Sequence, residues 1–217
     1  LFAYTTSSTI SDNNITENQI ANNTVGIYVD HSSNNKVEKN LIEKNSLWGI
    51  RLYGTLSQHN FIEYNTIEEN GYGVYMFVSE NNVIHHNNFI NNTIQAYVEP
   101  VIPVPYNTWN AAYPDGGNYW SDYPDKDLLS GLSQNINGSD GIGDKPYTIA
   151  QNNIDHYPLM NQTTLPNDQQ IYPSNPFLAA IAIFFVAMTV SSVLFLILRQ
   201  KTKTVEPEED AKAHEKE

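Results

Sequence analysis

An apolar residue, an asparagine three positions on, a second apolar residue two further and a second asparagine three beyond that recur four times along the chain. The copies are Ile15-Asn18-Ile20-Asn23, Val37-Asn40-Ile42-Asn45, Ile62-Asn65-Ile67-Asn70 and Ile84-Asn87-Phe89-Asn92, and successive copies are 22, 25 and 22 residues apart. A small residue followed by an apolar one then repeats as Gly26-Ile27, Gly49-Ile50, Gly73-Val74 and Ala96-Tyr97. Self-similarity at this period marks a solenoid. Alternating runs such as Gly-Ile-Tyr-Val and Gly-Val-Tyr-Met predict short strands, not the stripe of a helical repeat. One copy is long enough for three short strands and their turns, a single coil of a parallel β-helix. Coils stacked about 4.8 Å apart turn equivalent positions into columns. Ile15, Val37, Ile62 and Ile84 are expected to form one buried column, Ile20, Ile42, Ile67 and Phe89 a second, and Ile27, Ile50 and Val74 a third. The asparagines fall between strands. There they are expected to take the left-handed conformation of sharp corners and to bond their amides to the coils above and below.

The pattern changes at Glu99. Pro100, Pro103 and Pro105 are expected to end the stack. Residues 99–160, rich in Asp, Gly and aromatics, then form an irregular cap that buries Trp109, Trp120 and several tyrosines against the last coil. A polar spacer, 161–176, leads to Phe177–Leu198, 22 residues without a charge. That stretch is apolar on every face and long enough to predict one transmembrane helix. Arg199, Lys201 and Lys203 follow it, whereas Lys145 is the nearest cation before it. By the positive-inside rule the tail 199–217 is expected to be cytoplasmic and residues 1–175 extracellular. The chain opens on Leu1, with Leu-Phe-Ala-Tyr where a strand would sit, so residues 1–98 are expected to be the later coils of a longer solenoid.

The repeats, together with Gly116-Gly-Asn-Tyr-Trp-Ser-Asp-Tyr123, Gly138-Ser-Asp-Gly-Ile-Gly-Asp-Lys-Pro-Tyr147 and Asp155-His-Tyr-Pro-Leu-Met160, resemble the NosD-like family of β-helix proteins over roughly residues 10–160. The likeness is to the form common on archaeal cell surfaces. It implies an all-β, right-handed parallel β-helix. It also implies the copper-accessory role from which the family takes its name, assembly of the copper site of nitrous oxide reductase. The chain has no Cys, and Met76 and Met160 form no cluster of soft donors.

Composition narrows the function classes. Net charge is −13, and six of the eleven Lys and Arg precede residue 199, so nucleic acid is excluded as a partner. His85-His86 is the one His pair, and strand alternation is expected to point the two rings to opposite faces. The register puts Glu38, Glu63 and His85 in one surface column. Asp115, Asp122, Asp125 and Asp127, with Asp140 and Asp144, lie in Gly-rich turns whose carboxylates and carbonyls suit Ca²⁺, without EF-hand spacing. Sequons stand at Asn14, Asn22, Asn91, Asn137 and Asn161. Tyr28 and Tyr75, exposed on Gly-flanked strands, suit stacking on sugar rings. Arg51 is the one Arg before the tail, and no carboxylate pair for general acid–base chemistry is apparent beside it. The expectation is therefore a membrane-anchored, non-catalytic surface module for a glycan or another surface protein. The alternatives are a polysaccharide lyase or hydrolase with its catalytic coils upstream, and a copper-handling accessory protein.

Overall fold

The 22- and 25-residue periods close into coils. In a computed structural model of the chain, the described residues are 2–3 and 12–164, and they form a parallel β-solenoid of about four turns with no helix among them. Each coil contributes one strand to each of three sheets. The first sheet holds β1 (Phe2–Ala3), β4 (Val25–Asp30), β7 (Trp48–Tyr53), β10 (Tyr72–Phe77) and β13 (Ile94–Val98). The second holds β2 (Asn14–Thr16), β5 (Lys36–Glu38), β8 (Phe61–Glu63) and β11 (Val83–His85). The third holds β3 (Gln19–Ala21), β6 (Leu41–Glu43), β9 (Thr66–Glu68), β12 (Asn88–Ile90) and β14 (Tyr119–Trp120). The hairpins β15 (Leu129–Ser130) with β16 (Ile136–Asn137), and β17 (Tyr147–Ala150) with β18 (Asn153–Asp155), are antiparallel.

The first two apolar columns stack in the expected register: Ile15, Val37, Ile62 and Ile84, then Ile20, Ile42, Ile67 and Phe89. Of these eight, all but Ile20 are buried. Each such side chain contributes roughly 1.5–3 kcal/mol of transfer free energy. The third column differs at its last member. Val74 pairs with Ala96, and Tyr97 pairs with Tyr75. The small–apolar step that aligned Gly73-Val74 with Ala96-Tyr97 is therefore one residue out of register. The core-facing position stands four residues after the preceding asparagine in both copies, Asn70 to the buried Val74 and Asn92 to the partly buried Ala96, so the corner sets the register.

The ladder asparagines are not the left-handed residues. Positive φ belongs to the residue before each: Glu17, Lys39, Tyr64 and His86 in one row, and Asn22, Lys44, Glu69 and Asn91 in another, all between 50° and 60°. Each of these non-glycine positions costs roughly 1–2 kcal/mol. The turn they make aims the following asparagine into the coil, where its amide more than offsets that cost. Asn40 Nδ2 donates to Asn65 Oδ1 at 2.9 Å, Asn65 Nδ2 to Asn87 Oδ1 at 2.9 Å and Asn87 Nδ2 to Asn118 Oδ1 at 3.0 Å. A second ladder runs Asn45–Asn70–Asn92 and ends on Gln95. A third, not anticipated from the sequence, runs Asn13–Asn35–Asn60–Asn82–Asn107–Asn153.

The prolines do not end the stack. The chain loops out over 99–106 and returns, with Thr108 bridging Val83 and β14 pairing with β12. Trp120 stacks on Phe89 with centroids 4.3 Å apart, and Tyr147 stacks on Trp120 at 4.2 Å. The first ladder terminates on the buried Asp155, whose Oδ2 accepts from Asn118 N at 2.7 Å and Trp120 Nε1 at 2.9 Å. Gly117 is required here, because a Cβ at that position would enter the Asp155 carboxylate. No helix long and apolar enough to cross a membrane occurs among the described residues, and the stretch 177–198 lies outside them.

Candidate functional site

Parallel pairing in the first sheet puts Tyr28, Arg51, Tyr75 and Tyr97 in one outward column. The Arg51 guanidinium lies 4.2 Å from the Trp48 ring centroid, 4.7 Å from that of Tyr53, 4.8 Å from that of Tyr28 and 5.9 Å from that of Tyr75. Tyr75 stacks on Tyr97 at 5.8 Å, Tyr53 stacks on Phe77 at 5.0 Å, and Tyr72 meets both Tyr75 and Tyr97 edge-on. All these side chains are half-buried, so the sheet carries a continuous aromatic band around one cation. Arg51 Nε and Trp48 Nε1 are buried and have no hydrogen-bond partner among the described residues. Burial pushes the Tyr75 hydroxyl up to about 12, assisted by its 2.8 Å hydrogen bond to Glu99, so it is a donor at any ordinary pH. Burial likewise raises Tyr28, against the Arg51 charge. At one end of the band the Asp30 carboxylate contacts His31 Nδ1 at 2.5 Å.

Tyr28 and Tyr75 thus belong to one surface, two coils apart, with Arg51 between them. They are half-buried by their neighbours and do not stand free. Sequence reasoning passed over Arg51, Trp48, Tyr53, Tyr72 and Tyr97 as parts of this surface. The signal was available, because the repeat register places Arg51 and Tyr97 at the positions of Tyr28 and Tyr75.

A second cluster lies where the second sheet turns into the third. Glu38, Glu63 and His85 share a column as expected, and Lys36 Nζ bridges the first two at 2.8 Å and 3.1 Å. Both contacts raise the lysine, that to Glu38 the more. The expectation that His85 and His86 point to opposite faces fails: their Nδ1 atoms are 2.7 Å apart. Strand alternation stops at His85, since β11 ends there and His86 sits in the left-handed corner at φ 56°. Burial, and then the neighbouring imidazole, lower the pKa of His85. Tyr64 stacks on His86 at 5.0 Å, and His86 Nε2 lies 2.8 Å from the Asp115 carbonyl oxygen.

The six aspartates of the hairpin region are not brought to one point. Asp127 accepts from Ser139 Oγ, Asp140 N and Gly141 N. Asp144 accepts from Leu128 N and Leu129 N, and Asp140 from Gly131 N and Ile142 N. Asp125 pairs with Lys145 at 2.7 Å, Asp122 meets the Tyr147 hydroxyl, and Asp115 offers its main-chain carbonyl to His86. The Asp125, Asp127, Asp140 and Asp144 carboxylates act as turn locks, with lone pairs engaged by backbone N–H groups. Among the described residues no three His, Asp or Glu side chains are grouped to hold an ion. Asn14, Asn22, Asn91, Asn137 and Asn161 are all exposed. A cleft of about 350 Å³ lies apart from both clusters, between the Thr108 segment and β18, with His156 at its edge.

Compared with known proteins, residues 2–124 match the family model described as periplasmic copper-binding protein (NosD). No curated protein and no solved structure matches the chain. The matched span covers the coils and β14 and stops before the Asp-rich hairpins.

Proposed function

The chain belongs to the NosD family of periplasmic copper-binding proteins, and on that premise we propose that it is a non-catalytic, extracytoplasmic right-handed β-helix that recognises a glycan along its first sheet. The observation that carries this reading is the column Tyr28–Arg51–Tyr75–Tyr97, flanked by Trp48, Tyr53 and Tyr72. Flat π faces repeated at the coil spacing suit the C–H faces of successive sugar rings. The guanidinium supplies donors at the centre of the band, and Tyr75 supplies a hydroxyl. Phe177–Leu198 anchors the module in the membrane, with Arg199, Lys201 and Lys203 on the inner side. The five exposed sequons then face the compartment in which they could be modified.

The test is a glycan-array screen of the full chain, with Ca²⁺ and again with chelator, alongside Arg51→Ala and Tyr75→Ala. Saturable binding that weakens roughly tenfold in either variant, about 1.4 kcal/mol, is expected. Binding unaffected by both substitutions would move the ligand off this face, and loss in chelator would bring the Asp-rich hairpins into it.

A second reading, copper handling, is favoured by the family description and by one observation, the convergence of His85 and His86. The donor chemistry fits only in part. Cysteine is absent, and Met76 is buried in the core with no surface access. The 2.7 Å contact between the two imidazoles is a hydrogen bond from one ring to the other, and no three metal-ligating side chains are grouped among the described residues, so this pair does not make a copper site.

A further inference from the structure

We infer that the glycan read by the first sheet is an acidic one, and that the two terminal nitrogens of Arg51 grip the carboxylate of a uronic-acid sugar while the tyrosines beside it take the neighbouring rings. The inference rests on the glycan reading above and names its ligand class and the residue that sets it.

Three features carry it. Arg51 is a cation without a counter-ion. Its guanidinium makes no ion pair and no hydrogen bond among the described residues, whereas Lys36, Lys44 and Lys145 each pair with a carboxylate. The carboxylates at the two ends of the band are committed elsewhere. Glu99 accepts from the Tyr75 hydroxyl at 2.8 Å, and Asp30 is engaged by His31 Nδ1 and by the Tyr28 hydroxyl. Next, the guanidinium is fixed and poorly hydrated, with four ring centroids between 4.2 and 5.9 Å from it. Its Nε is buried among those rings, so the edge left to a ligand is the pair of terminal nitrogens. That edge matches the two oxygens of a carboxylate, the bidentate arrangement that gives arginine–carboxylate pairs their strength and direction. Finally, the charge stands in the middle of stacking surface. Tyr28 lies one coil before Arg51 and Tyr75 one coil after it, each about 4.8 Å along the stack. A sugar whose carboxylate sits on Arg51 therefore has an aromatic face within reach on either side.

Net charge of −13 opposes an anionic glycan at a distance. Screening over about 8 Å at physiological salt confines that repulsion, and at contact the unpaired guanidinium decides. The tyrosine faces alone would take neutral and acidic sugars alike, so Arg51 is the residue that tells them apart.

The experiment is isothermal titration calorimetry on the detergent-solubilised full chain. The probes are tetragalacturonate and tetramannuronate, each as the free acid and as the methyl ester, with a sulfated galactose tetrasaccharide beside them. Wild type is expected to bind one of the acids roughly tenfold tighter than its ester. Arg51→Gln should bring that acid down to the affinity of the ester and leave the ester unchanged, and Arg51→Lys should recover only part of the loss. Lys126→Gln should alter neither. The chain has two arginines, Arg51 and Arg199, so nitrogen-15 arginine NMR of the wild type replaces the variants should they lose their β-type circular dichroism: the acid must shift the Arg51 signal and not that of Arg199. Equal affinity for acid and ester, a preference that survives in folded Arg51→Gln, or an unmoved Arg51 signal refutes the inference and leaves the glycan reading standing. Tighter binding of the sulfated probe overturns the carboxylate in favour of a sulfate ester. Failure of every probe while the array shows a bound neutral sugar refutes the inference alone, and no sugar bound in either experiment refutes both.

Discussion

Replacing Asn65 by alanine removes a buried side chain that makes five polar contacts, three of them sharing the two protons of Nδ2. Its Nδ2 donates to the Val37 carbonyl at 2.8 Å, to that of Glu63 at 3.1 Å and to Asn87 Oδ1 at 2.9 Å. Its Oδ1 accepts from Asn40 N at 3.0 Å and Asn40 Nδ2 at 2.9 Å. The Asn40 amide side chain keeps the Ile15 and Glu38 carbonyls as acceptors, but the Asn40 backbone N–H loses the acceptor that Asn65 gave it. The two Nδ2 protons and the two bonds accepted by Oδ1 amount to four bonds at about 0.5–1.5 kcal/mol net each, which with about 1–3 kcal/mol for the orphaned donor sums to roughly 3–9 kcal/mol; because the terms are not fully additive the cost is set near 4–6 kcal/mol. Asn18, at the exposed end of the same ladder, donates to the Thr16 carbonyl and to Asn40 Oδ1. Water can replace those contacts, so Asn18→Ala should cost about 1 kcal/mol or less. Urea unfolding of the full chain, followed by the fluorescence of the buried Trp109 and Trp120, measures both. A difference between the two variants under about 1 kcal/mol would show that the ladders follow the fold and do not hold it, and the reasoning would fail.

Burial pushes the Asp155 carboxyl up to about 7, against the hydrogen bonds it accepts from Asn118, Trp120 and Tyr157, whereas the unfolded chain releases that proton near 3.8. The native state binds the extra proton between those values, so its contribution is fully present below about 3.8 and is lost as pH rises to about 7, a fall of about 4 kcal/mol. Urea midpoints from pH 4.5 to 7.5 should show this slope in wild type and not in Asp155→Asn; equal slopes in both would refute it. Gly49→Ala sets a Cβ 2.7 Å from the Gly73 carbonyl oxygen of the next coil, and the overpacking should cost about 1–3 kcal/mol in thermal unfolding. Trp120→Ala breaks the Phe89–Trp120–Tyr147 stack and one bond to Asp155. It should cost about 3–5 kcal/mol and expose the β17–β18 hairpin to proteolysis ahead of the coils.

The sequence by itself determined the solenoid, two of its apolar columns and two of its asparagine ladders, because stacking repeats the same contact every 22 or 25 residues and repetition leaves a period. The third ladder was equally legible, since Asn13, Asn35, Asn60 and Asn82 keep those steps and each precedes a recognised ladder member by five residues. The aromatic band was half legible: Tyr28 and Tyr75 stood out, and Arg51 and Tyr97 needed only the same register. Tertiary structure alone decided what happens once and leaves no period. It placed the left-handed φ on Tyr64 and His86 and not on the asparagines after them, because a corner turns the chain one residue before the side chain that closes it. That turn swung His86 beside His85, where strand alternation would have parted them. It also ended the first ladder on Asp155, 37 residues beyond Asn118, where a carboxylate satisfies the last backbone N–H and the indole of Trp120 together. Periodic contacts are encoded in every copy of the repeat, whereas a corner's handedness and a cap's single carboxylate arise from the geometry of segments that meet only after the coils have stacked.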